Sequence, residues 1–161
     1  MNDNTLKSLE ELFYQKIMLY NDLLNCFKEE RESLVNIDME KLWAISKEKE
    51  ELGQRINSTR QEIISLLGLD IDLQSFNSAH IFRTIPDTKR PQFQKLTMAI
   101  IKLKDEIGVL RSENMNFVDD SLNFLDEMIA ILTGNEKQKE TYNVKCRLDK
   151  TRHTMLLDRE V

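Results

Sequence analysis

Histidines, cysteines, paired carboxylates and glycine-rich turns are the places where a chain like this would carry chemistry, and here each is sparse or badly spaced. His80 and His153 do not stand three or four residues from a carboxylate and a second histidine, the spacing that puts metal ligands on one helix face. No metal site is expected. Cys26 and Cys146 lie far apart, neither with a partner at ligand spacing, so both read as free thiols. Gly53, Gly68, Gly108 and Gly134 each stand alone and build no loop that could cradle a phosphate. Glu29-Glu30, Glu50-Glu51 and Asp119-Asp120 offer adjacent carboxylates, but in charged helical segments such pairs belong to a solvated face rather than to general acid–base catalysis. The reading is of a protein with no catalytic residues and no cofactor, which works by binding another protein.

The elements around these residues follow from composition and period. The 161 residues suffice for one domain, and 32% charged against 40% hydrophobic residues, with four glycines and two prolines, suits long helices that each carry one apolar stripe. The formal charge of −5 has no concentrated basic face, which argues against nucleic acid. The first ten residues lack the basic and then apolar run of a secretory signal. No uncharged stretch reaches the roughly 20 residues that span a bilayer, so a cytoplasmic protein without membrane insertion is expected.

From Leu6 the apolar residues recur in steps of three and four through Leu9, Phe13, Ile17, Tyr20, Leu24, Phe27 and Leu34. That is the seam of a helix packed lengthwise on another. Leu12, Met18, Leu19 and Leu23 widen the stripe, as contact with more than one neighbour requires. Around Val35-Asn36-Ile37-Asp38 the pattern stumbles. A corner with Asn36 left-handed and Asp38 capping the next helix fits, and a helix running straight through in the register Leu34, Asp38, Leu42 also keeps the spacing. The second run, Leu42, Ile45, Leu52, Ile56, Ile63 and Leu66, ends at Gly68. Trp43, beside Leu42, is expected to pack as a core residue.

Residues 69–90 hold Pro86 and room for one short helix around Gln74 to Arg83, and Pro91 suits the first turn of the next helix. The third run is the cleanest: Phe93, Leu96, Ile100, Leu103, Ile107, Leu110, Asn114, Phe117, Ser121, Phe124, Met128, Ile131. Asn114 on this seam is the kind of buried polar residue that fixes register between paired helices. Met98, Met115, Met128 and Met155 read as core filling, with Met128 the best candidate for a functional contact. The expected fold is all-α, an elongated antiparallel bundle of three main helices near 5–35, 38–67 and 91–133. Residues 1–134 form the bundle domain, and 135–161 a tail with only scattered apolar points that is mobile or orders on a partner.

Glu30-Arg-Glu-Ser-Leu34, Asp38-Met-Glu-Lys-Leu42, Lys47-Glu-Lys-Glu-Glu-Leu52 and Arg60 ahead of Leu66-Leu67-Gly68 resemble the N-terminal half of the FlgN-like flagellar export chaperones. Asn114-Met-Asn-Phe-Val-Asp-Asp-Ser-Leu122 and Thr141-Tyr-Asn-Val-Lys-Cys-Arg147 are similar to that family's later pattern. The departure is Cys146, where the family usually has glycine about four residues after the tyrosine. The resemblance implies a cytoplasmic chaperone of flagellar type III export. It would bind terminal amphipathic helices of the hook–filament junction proteins, prevent their premature assembly and deliver them to the export gate. Tyr142 matches the family's tyrosine implied in docking to the gate, and packing against the third helix is the alternative for it.

Under that reading, client contacts are expected from apolar residues lying partly off the packed seam or beyond the bundle, Leu122, Leu125, Ile129, Leu132, Val144, Leu148 and Leu156, together with Met128 of the seam near the tail. Weak self-association is left open. The competing reading is a scaffolding coiled coil that pairs with itself and has no secreted client, and the widened first stripe argues against it.

Overall fold

The structure is a computed structural model in which residues 3–69 and 78–134 are described. It holds four helices, α1 (Asp3–Asn36), α2 (Met39–Leu66), α3 (Ser78–Thr84) and α4 (Arg90–Leu132), with no strand among the described residues. The fold is an all-α helical bundle. The expected short helix before Pro86 is present as α3, and the residues from Asp70 to Asn77 lie outside the described set.

The chain does turn between α1 and α2. Ile37 N–H donates to the Leu34 carbonyl and Asp38 N–H to that of Ser33, a paired closure that takes up two of the last four carbonyls of α1. The left-handed residue is Ile37, at φ 55°, and not Asn36 as the sequence suggested. A β-branched side chain is strained there, and Ile37 is 78% exposed. Asp38 then caps α2 by accepting from the Lys41 backbone N–H at 3.0 Å. At the other end of α2, Gly68 supplies the left-handed step at φ 63° without strain, and the N–H groups of Gly68 and Leu69 close onto the Ser65 and Ile64 carbonyls.

The chain divides into two units, Met1–Ser121 and Leu122–Val161. The core belongs to the first. Leu9, Phe13, Ile63, Ile81, Ile85 and Phe93 bring α1, α2, the α3 region and α4 together, and the Phe13 and Phe93 rings meet edge to face with centroids 5.4 Å apart. A second cluster, Leu19, Cys26, Ile45, Leu52 and Ile56, joins α1 to α2 farther along. Leu19 thus serves the second neighbour that the widened stripe of α1 called for, whereas Met18 faces solvent. Antiparallel pairing of α1 with α2 follows from their two-residue corner. Contacts from Glu10 to Gln92 and from Glu30 to Asn114 show α1 and α4 running in the same direction.

Candidate functional site

In the second unit, residues 122–134 are described, and of these only Ala130 is even partly buried. Leu122, Leu125, Met128, Ile129 and Leu132 are all exposed, from 43% at Met128 to 80% at Leu132. Phe124 and Ile131, which belong to the repeating seam, are exposed as well, so the expectation that this seam stays packed to its end is corrected. The backbone remains helical there because the segment from Val109 to Thr133 has no glycine or proline and is rich in Leu, Met, Glu and other good helix formers. Gly134, at φ 66°, marks its end.

The spacing of these exposed residues is regular. Leu122, Leu125, Ile129 and Leu132 recur by three, four and three, and the same steps run back along α4 to Val118 and Met115, which are exposed residues of the first unit. Val118, Phe124 and Ile131 were not singled out as binding residues from the sequence. Extending the three–four count backwards from Leu122, and doubting the cover of the last seam turns, would have found them. Together the two adjacent stripes make an apolar arc of about 200° at 100° per residue, roughly twice the width that a surface helix buries against one neighbour.

Beyond the apolar core that packs Phe93, Leu96 and Ile100, α4 makes a polar layer farther along its packed stretch. Asn114, 4% exposed, donates from Nδ2 to the Phe27 carbonyl at 3.0 Å and to Glu30 Oε2 at 3.1 Å. Glu30 is also paired with Lys49 of α2, whose ammonium lies 4.7 Å from the centre of the Phe27 ring. Three helices therefore meet at one set of polar partners. A shift of α4 by one turn would leave Asn114 and Glu30 without these bonds, the register-fixing role expected of this residue. Next to the layer, the Arg31 guanidinium covers the Phe117 ring at 4.4 Å and donates to the Glu113 carbonyl. Farther back, burial, with Arg60 and Lys104 adding like charge, lowers the Lys16 pKa from 10.5 to about 8. Burial is also the main reason that the Cys26 thiol is raised to about 11, with Glu48 and Glu29 adding to it, so Cys26 is an inert core thiol.

Trp43 is corrected: it is 76% exposed. It sits one position, or 100°, past Leu42, which turns it off the α2 seam that Ile45, Leu52, Ile56 and Ile63 bury. Among the described residues no group of His, Cys, Asp and Glu could hold a metal ion, and no helix is long and apolar enough to cross a membrane. Val144, Leu148 and Leu156, together with Tyr142, Cys146 and His153, lie outside the described residues.

The class that the described residues define is an all-α helical bundle whose longest helix carries an exposed, regularly spaced apolar stripe over its last turns. The family model described as FlgN protein matches residues 1–149, and the chain belongs to the FlgN family. Membership gives it a general role as a flagellar export chaperone, in a family of chaperones rather than enzymes. Neither the curated proteins nor the solved structures contain a match.

Proposed function

We propose that the chain is a cytoplasmic chaperone of flagellar type III export that binds the terminal amphipathic helices of hook–filament junction proteins, keeps them from assembling early and delivers them to the export gate. The observation that carries this reading is the exposed stripe Leu122, Leu125, Met128, Ile129 and Leu132 in a member of the FlgN family. Junction proteins assemble through amphipathic terminal helices, so covering the apolar face of such a helix is the physical task. Complete burial of one Leu is worth about 1.5–3 kcal/mol, and micromolar binding needs about 8 kcal/mol after ordering costs. Several of these residues acting together meet that requirement.

In this proposal residues 1–134 are the supporting bundle and 135–161 the partner-binding tail. Val144, Leu148 and Leu156 add apolar contacts to the client, and Tyr142 docks to the gate once the client is loaded. The test is calorimetry with a junction-protein terminal helix, run on the full chain and on a chain truncated after Gly134, together with an export assay of Tyr142→Ala. Truncation is expected to weaken binding, and Tyr142→Ala to bind normally and export poorly. Full binding by the truncated chain would remove the tail from the capture site, and normal export by Tyr142→Ala would remove the gate role.

The second reading is a scaffold that pairs with itself through the Leu6 to Leu34 seam and has no client. Light scattering separates the two: a stable homodimer indifferent to the added helix belongs to the scaffold, and a one-to-one complex with the client helix belongs to the chaperone.

A further inference from the structure

We propose that the helix captured at the end of α4 is basic along its borders, with Lys or Arg flanking the apolar residues that it buries. This rests on the reading of Leu122 to Leu132 as the capture surface and adds the charge of the partner to it. From Ser112 to Gly134 the chain has five acidic residues, Glu113, Asp119, Asp120, Asp126 and Glu127, and no Lys or Arg. Against totals of 28 acidic and 23 basic residues, this leaves 23 of each sign elsewhere, so the whole net charge of −5 resides in this one segment. Within α4 the sign reverses at Arg111: from Arg90 to Arg111 basic residues outnumber acidic ones by five to two.

The carboxylates are also placed in lines. Asp119 and Asp126 are seven residues apart and run beside Leu122 and Ile129. Asp120 and Glu127, again seven apart, run beside Phe124 and Ile131. All four are exposed, and Asn116 and Asn123 occupy the face between the two lines. The apolar arc is therefore bordered by negative charge on both edges. The exposed charged residues of α1 and α2 mix the two signs, so an excess of one sign along an exposed apolar surface favours a partner of the opposite sign. A second copy docking through the same arc would set carboxylate against carboxylate, which argues against self-association as the use of this surface.

The test is titration of the full-length chain with two designed amphipathic peptides of about 21 residues, three heptads each, that share one Leu/Ile stripe and differ only in Lys or Glu along its borders. The Lys-bordered peptide is expected to bind about tenfold more tightly at low salt, and the preference to fall below about threefold at ~0.5 M salt, where exposed charges are screened. In the triple variant Asp119→Lys, Asp120→Lys, Glu127→Lys, checked for retained helicity by circular dichroism, the preference is expected to invert. Equal binding of both peptides by the unaltered chain, or tighter binding of the Glu-bordered one, overturns the charge proposal and leaves the capture surface standing. Binding of neither peptide overturns the capture surface itself, and the charge proposal with it.

Discussion

One helix carries two stretches of the same repeat with opposite fates. From Phe93 to Asn114, positions three and four apart are buried or half-buried, whereas from Leu122 to Leu132 residues of equal apolarity at the same spacing are exposed. The difference lies in the neighbours. Bonded positions of α1 and α4 differ by 82 to 87 in number, and adding these offsets to Asn36, the last residue of α1, reaches positions 118 to 123, around the end of the first unit. A heptad thus specifies a stripe that some helix must cover, and says nothing about whether that helix belongs to the same chain. The charges differ too: Phe93 to Asn114 carries four basic and three acidic residues, whereas Leu122 to Leu132 carries two acidic residues and no basic one.

The sharpest way to break the comparison is to delete one aromatic ring from each stretch. Phe93→Ala, at a residue 1% exposed and packed on Phe13, is expected to destabilise the protein by about 3–5 kcal/mol, whereas Phe124→Ala should change stability by less than about 0.5 kcal/mol. Urea denaturation of both variants checks this, and similar losses would mean that Phe124 is covered in solution.

A smaller effect tests the charge of the packed stretch. Lys16→Met is expected to stabilise the protein at pH 7 by about 1–2 kcal/mol, which discounts for partial exposure the roughly 3 kcal/mol that the pKa shift would represent. Because the folded-state pKa is depressed, unfolded chains bind more protons at Lys16 between about pH 8 and 10.5. Stability of the unaltered protein should therefore rise with pH across that window. Cys26, raised to about 11, opposes the trend above pH 9, as does Tyr20, whose pKa burial also raises, so pH 8 to 9 is the clean interval. In Lys16→Met the rise should disappear, and its persistence would assign it to another group.

The smallest expected effect is at the corner. Ile37→Gly removes a strained, exposed side chain and should stabilise by about 0.5–1 kcal/mol after the added freedom of the unfolded chain is counted. Thermal melting measures it. A loss of stability would show that Ile37 makes contacts worth more than its strain.

Much of the fold was legible because period and capping are local. The seam from Phe93 through Leu110 to Asn114, the cap at Asp38 and the terminator at Gly68 each follow from residues a few positions apart. The left-handed position at Ile37 was not legible, since Asn36 is the better residue for it and only the closure of α1 onto Ser33 and Leu34 shows which residue takes it. Trp43 was misread for a related reason: its large apolar ring suggests burial, while its angle on α2 decides otherwise.

At the candidate site, the sequence by itself determined an apolar, acid-bordered stripe on the last turns of α4, because stripe and charge depend only on helical period. That Leu122 to Leu132 stand uncovered while Phe93 to Ile107 are packed was decided by the tertiary structure, because burial depends on how far α1 reaches along α4, and that reach is set by pairings between residues more than 80 positions apart.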